Sequence, residues 1–180
     1  MLAVGAADGR VAAIVSQCPF TDGLATLPAL GLKAIMRVAV AGVRDQVAAL
    51  RRGTPYYIPV IAPPGGLAVM TKPDVASGWS AILEQSVDPQ WENRVAARIA
   101  LRMGTYRPGL NATKLPCPAL FCICDQDSVA PAERTATLAA RGPRNEIKHY
   151  PIGHFDIYVG DDFEQAVADQ TEFLVRTLKP

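Results

Sequence analysis

Two side chains in this sequence are placed to move a proton. Asp127 follows the apolar run Pro118-Ala-Leu-Phe-Cys-Ile-Cys124, and His154 follows a second run, Glu146-Ile-Lys-His-Tyr150, 27 positions further on. A carboxylate just past the C-terminal end of a parallel strand lies where such sheets carry their sites. A histidine in the loop after the neighbouring strand can reach it. The pairing has a chemical use: the acid fixes the imidazole tautomer and stabilises the imidazolium formed when the histidine takes a proton from a nucleophile. Asp125 is the fallback acid. His149 falls inside the strand-like run and reads as a solvent-facing residue, Asp156 as a loop residue and Ser128 as a turn residue. Ser16 and Cys18 end an earlier apolar run on the site edge of the sheet, but no glycine-flanked elbow surrounds either, so neither is expected to attack substrate.

The elements needed to hold this pair can be read from hydrophobic pattern. Val11–Ser16 is a short apolar run with β-branched residues, suited to a strand buried on both faces. With the runs at 118–124 and 146–150 it predicts about three parallel strands. A helix over Ala130–Arg141 connects the last two, with Pro131 suited to its first turn. Asp161 or Asp162 is expected to cap a final helix whose apolar face is Phe163, Ala166, Val167, Phe173, Leu174 and Leu178. Strand, helix, strand, helix implies right-handed crossovers and an α/β fold.

Between Thr21 and Pro116 the pattern changes to a helical block. Leu32, Ile35, Met36, Val40, Val43, Val47 and Leu50 recur at helical spacing and predict an amphipathic helix. The proline-rich stretch 54–67 reads as a packed loop. Two more helices are expected near Pro73–Gln85 and Pro89–Met103, with Asp74 and Asp88 as N-cap candidates. Tyr56, Tyr57, Trp79 and Trp91, with Met70 and Met103, lie in this block and are candidates to line a substrate pocket.

Composition narrows the function classes. The chain has 180 residues, 49% hydrophobic and 19% charged, with a formal net charge of +1. That length suits one domain with a subdomain and buries roughly 70% of the unfolded surface. A near-neutral chain lacks the basic face of a nucleic-acid binder. The Ala/Val-rich stretch from Leu32 to Leu50 contains Lys33, Arg37, Arg44 and Asp45, which argues against a membrane span. The opening residues lack the basic region of a signal peptide. Cys18, Cys117, Cys122 and Cys124 show no zinc-type spacing and are expected as buried free thiols in a reducing compartment such as the cytoplasm.

The runs LFCICDQDSVAPAE and HYPIGHFDIYVGDDFEQAVADQTEFL resemble the acid loop and the histidine loop with last helix of α/β-hydrolases. Cys124 stands where the acid turn usually has glycine, and the order acid then histidine matches. The opening MLAVGAADGRVAAIVSQCPFTDG resembles the segment after the nucleophile elbow in the dienelactone-hydrolase and peptidase-like groups. The resemblance implies a partial α/β-hydrolase fold, with residues 1–20 and 116–180 forming the core and 21–115 a large helical lid. It implies hydrolysis of a small-molecule ester or acyl bond without a cofactor, His154 acting as base and then acid and Asp127 orienting it. It also implies that the nucleophile, which opens the helix in which this chain begins, lies outside these residues. Alternatives are a non-catalytic binding protein, a homodimer formed through the open edge of the first strand, and a relative with an aspartate nucleophile of the dehalogenase or epoxide-hydrolase type.

Overall fold

Every residue of the run Ala119–Cys124 is buried, and its side chains alternate between two cores. Ala119, Phe121 and Ile123 join Leu2, Ile14, Leu115 and Ala139 on one face. Leu120, Cys122 and Cys124 join Tyr150, Ile157, Ala166 and Phe173 on the other. A strand apolar at both even and odd positions can only be a central strand covered on both faces.

The computed structural model describes residues 1–87 and 90–178. Its elements in chain order are α1 (Leu2–Ala7), β1 (Ile14–Gln17), α2 (Gly23–Thr26), α3 (Leu32–Leu50), β2 (Tyr57–Ile58), α4 (Val75–Glu84), β3 (Val95–Ala96), α5 (Ala100–Met103), β4 (Ala119–Cys124), α6 (Ala132–Ala139), β5 (Asn145–Tyr150) and α7 (Gly160–Leu178). The chain divides into two compact units, Met1–Asp22 with Arg107–Pro180, and Gly23–Tyr106.

In the first unit β1, β4 and β5 form a parallel sheet in the order β1-β4-β5. Ile14 pairs with Ala119 and Ala119 with Asn145, so the strand ends that carry candidate site residues fall at one edge. α1 and α6 cover the face of Phe121, and α7 covers that of Cys122. Asp169 of α7 accepts from Lys148 Nζ at 2.6 Å and from the Tyr150 hydroxyl at 2.8 Å, which ties the last helix to β5.

Asp22 is a second electrostatic anchor. Its side chain is 3% exposed and meets Arg107 Nε at 2.9 Å and Arg134 Nη2 at 2.7 Å. The Arg107 guanidinium above all, with Arg134 beside it, pulls the Asp22 carboxyl down to about 2 against the burial that opposes ionisation. A depressed folded-state value stabilises the fold above the ordinary carboxylate range, and that stabilisation disappears as pH falls through it toward about 2. Acid unfolding followed by far-UV circular dichroism should therefore show Asp22→Asn less stable than the parent at pH 7 and nearly equal to it at pH 2. A constant difference between them across that range would exclude Asp22 as the linked group.

The second unit departs more from the sequence pattern. α3 forms over 32–50 as expected, but its regular stripe does not make its core. Leu32, Met36, Val40, Val43 and Leu50 are more than half exposed, whereas Ala41, Gly42 and Asp45 are buried. Small residues allow close approach: a Cβ on Gly42 would lie 2.8 Å from Leu101 Cγ. Asp45 accepts from Arg98 Nε at 2.8 Å, the Arg98 amide at 2.9 Å and the Tyr56 amide at 2.8 Å, so a charged residue occupies the inward face.

The helix expected over Pro89–Met103 is reduced to a 3₁₀ turn at Ala97–Ile99 and the short α5. Val95 and Ala96 pair with Ile58 and Tyr57 instead, and the Asn93 side chain binds the Val60 and Ile61 amides and the Ile61 carbonyl. Asp74 does stand at the N-cap position of α4. Asp88 lies outside the described residues. Asp161 and Asp162 are not caps. α7 begins one residue earlier, at Gly160 (φ +60°), which places both carboxylates in its first turn, where they favour the helix dipole. β1 begins at Ile14, not Val11. Residues 107–115, read from sequence as part of the middle block, belong to the first unit, where Ala112 and Leu115 pack with Leu2. No helix among the described residues is long and apolar enough to cross a membrane.

Candidate functional site

β4 ends at Cys124 because the chain turns there. The Asp125 amide donates to the Tyr150 carbonyl at 2.8 Å, and the Gln126 amide to the Ile152 carbonyl at 3.0 Å. These bonds lace the loop after β4 to the loop after β5, which carries His154. Asp127 Oδ1 then accepts from the Val129 and Ala130 amides, both at 2.7 Å. The same carboxylate's second oxygen, Oδ2, lies 2.7 Å from His154 Nδ1. Asp127 is 3% exposed and His154 16%.

One oxygen of Asp127 is therefore held by the backbone and the other by the imidazole. An ionised carboxylate only accepts hydrogen bonds, so it fixes the proton on Nδ1 and leaves Nε2 as the nitrogen able to take a proton. On the other side of the histidine, Asp156 Oδ2 accepts from the Gly153 amide at 2.8 Å, and the Phe155 ring meets the imidazole edge-on at 4.9 Å. Asp156, read as a loop residue, shapes that loop.

The fallback acid is placed elsewhere. Asp125 Oδ1 lies 2.6 Å from His149 Nδ1, and both side chains are about half exposed. The two carboxylates thus serve two histidines, and only the Asp127–His154 pair is sheltered.

Cys18 joins this pair. Its Sγ, an Asp127 oxygen and a His154 ring nitrogen all lie within 4.8 Å of one another. Among the described residues this is the group able to offer a metal ion three ligand atoms, of donor types that borderline cations accept. The reason is register. Gln17 pairs with Cys122, so the residue after β1 reaches the level where β4 gives way to the acid loop. The sequence already places Cys18 on the site edge of the sheet, and the parallel register of β1 on β4 sets how near it comes. Cys18 Sγ is 3.0 Å from Cys124 Sγ, and all four cysteines are free and buried. The contact with Cys124, then burial, raise the Cys18 thiol far above the ordinary range. Burial, then the nearby sulfurs and Asp127, do the same to the Tyr158 hydroxyl. Ser16 is buried within β1, opposite Phe121.

The four aromatic candidates lie in the second unit. Tyr56 packs under the Arg44 guanidinium, 4.0 Å from its ring centroid, and Tyr57 under Arg94 at 5.0 Å. Trp79 and Trp91 pack on each other with centroids 4.9 Å apart. That unit contains a cavity of about 270 Å³ walled by Leu27, Leu30, Ile35, Val38, Val69 and Leu101 among others. None of Tyr56, Tyr57, Trp79 and Trp91 lines it. Met103, also a candidate from sequence, does line it and Met70 does not; the rest of the lining is mostly aliphatic and carries no local signal.

No protein-family model matches the chain. The quorum-quenching protein AidA of Acinetobacter baumannii (strain MDR-ZJ06) is 41% identical over 176 residues, which span 98% of this chain and 57% of AidA. The crystal structure of the α/β hydrolase GrgF from a Penicillium species superimposes with a TM-score of 0.75 at 22% identity, over 99% of this chain and 60% of GrgF. DcsB, solved in complex with its substrate analogue, superimposes with a TM-score of 0.74 at 18% identity, over 99% of this chain and 61% of DcsB. The chain thus spans less than two thirds of the length of each of these relatives. At such structural identities the likeness speaks for the fold.

Proposed function

We propose that this chain, which has the α/β-hydrolase fold, supplies the acid and the histidine of a hydrolytic site that cleaves an ester or related acyl bond in a small molecule. The observation that carries the reading is the 2.7 Å contact between Asp127 Oδ2 and His154 Nδ1, with the other carboxylate oxygen already committed to two backbone amides. In this mechanism His154 Nε2 removes the proton of an attacking hydroxyl and then returns it to the leaving group, while Asp127 holds the tautomer. The nucleophile, of serine type in this proposal, comes from sequence that these residues do not include. In this reading Gly23–Tyr106 corresponds to the lid of the fold. The likeness to AidA makes a quorum signal one substrate class to try. Four free buried thiols suit the reducing cytoplasm.

The test uses the complete reading frame containing this chain, assayed on p-nitrophenyl esters and on lactones of graded acyl length, against His154→Ala. Turnover by the parent that falls to background in the variant is expected. Equal rates in both, or no turnover of any substrate in the panel, would overturn the proposal.

The second reading is a non-catalytic protein that binds or dimerises. β1 is an outer strand of the sheet, and the apolar stripe of α3 is exposed. Sheet edges of that kind invite pairing. A monomeric mass by light scattering would count against edge dimerisation.

A further inference from the structure

We propose that Cys18 and Cys124 are a redox modification site: a peroxide oxidises the pair to a disulfide beside Asp127 and His154. The two residues are 106 positions apart in sequence, yet their sulfurs are 3.0 Å apart. The fold brings them together through adjacent parallel strands, the Cys18 amide donating to the Cys122 carbonyl at 2.9 Å. Cys18 also has a φ of 38°, in the left-handed region that disfavours residues bearing a Cβ. Such a conformation persists only where the surroundings over-determine it. Cys122, two residues before Cys124, has its Sγ 3.9 Å from the Tyr150 hydroxyl instead.

The chemistry balances with hydrogen peroxide as the oxidant. One sulfur of the pair, as thiolate, attacks a peroxide oxygen. The O–O bond breaks, hydroxide leaves and becomes water, and a sulfenic acid remains. The second sulfur attacks the sulfenic sulfur, the S–S bond forms, the S–O bond breaks, and a second water carries away the thiol proton. Two thiols lose two electrons and two protons, and one peroxide becomes two waters. Burial and the partner thiol disfavour the thiolate the first step needs, so the reaction should be slow.

The bond would act on its neighbours. Closing the sulfurs from 3.0 Å to roughly the 2.05 Å of a disulfide draws the end of β1 toward the end of β4. Asp127 lies three residues beyond Cys124, its amide bonded to the Cys124 carbonyl at 3.2 Å. Oxidation should therefore disturb the carboxylate that holds His154. This rests on geometry alone and is independent of hydrolytic activity.

The experiment treats the native protein with hydrogen peroxide in chelator-containing buffer, quenches with catalase, and then labels with N-ethylmaleimide in denaturant. Untreated protein should take a label on each of its four cysteines. Oxidised protein should take only two labels, weigh about 2 Da less before labelling, and yield a linked Cys18–Cys124 peptide. Dithiothreitol should restore the missing labels. A linkage between other cysteines, retention of every label after peroxide, or loss that dithiothreitol cannot reverse would overturn the assignment, and none of these readings needs a variant to fold. The His154 ring nitrogen shifts, followed by NMR, should move on oxidation of the parent and stay fixed in Cys18→Ala. An unchanged spectrum in the oxidised parent would overturn the coupling to the Asp127–His154 pair.

Discussion

On the proposed hydrolytic mechanism, Asp127→Asn is expected to lower kcat for ester hydrolysis about 10⁴-fold and to change KM little. The reason lies in the two sides of the carboxylate. The Val129 and Ala130 amides both donate to Oδ1 at 2.7 Å, so an asparagine there must turn its carbonyl oxygen toward them. Its amide NH₂ then faces His154 Nδ1. Two donors cannot share that contact, so the ring gives up its Nδ1 proton and carries the proton on Nε2, where it can no longer take one from a nucleophile. The variant should keep its circular dichroism spectrum, because both backbone bonds survive. Asp125→Asn, whose carboxylate serves the exposed His149, should leave kcat within a few-fold of the parent. If Asp125→Asn is the crippled variant and Asp127→Asn is not, the acid has been assigned to the wrong residue.

Phe121→Ala costs about 3–5 kcal/mol of unfolding free energy, as truncation of a fully buried aromatic does. Phe121 is 0% exposed in the central strand, within the cluster that holds Leu2, Ile14, Ala139 and both neighbours on its face of β4, Ala119 and Ile123. α1, β1, β4 and α6 all lean on it, so the cavity cannot close by moving one element. Ile123→Val removes a single methylene from the same face and should cost about 0.5–1.5 kcal/mol. The probe must sit in the right unit. Trp79 and Trp91 both belong to Gly23–Tyr106, so tryptophan fluorescence reports the other unit. Hydrogen exchange of the β4 amides reads the sheet directly. A loss below about 1 kcal/mol for Phe121→Ala would mean that this face of β4 is not the core of the unit.

The α/β architecture and the acid–histidine pairing were legible in the sequence because each rests on local pattern. β4 is an unbroken apolar run, α7 has a clear amphipathic face, and Asp127 and His154 each follow a strand end. What escaped prediction was non-local. The α3 stripe obeys helical spacing, but the helix turns Ala41, Gly42 and Asp45 inward, because small residues permit close approach and Asp45 is satisfied by Arg98 and two backbone amides. The segment before α5 has helix-compatible residues, yet the Asn93 side chain and the pairing of Val95 with Ile58 engage it in another way. Cys18 was legible at the site edge as the residue ending β1; its closeness to Asp127 and His154 follows from the register of β1 on β4.

The ion-paired Asp22 has a consequence for how such a chain can change over generations. Asp22 is the last residue before the middle block, and Arg107, to which it binds, is the first after it. One residue further in, the Gly23 amide donates to the Tyr106 carbonyl at 2.9 Å. The chain thus leaves and re-enters the sheet unit through a stapled gateway whose two posts are neighbours. A segment with touching ends can be lengthened, shortened or exchanged wholesale without disturbing the order of the strands outside it. Changes in the stretch between the posts therefore need not move the residues that hold Asp127 and His154.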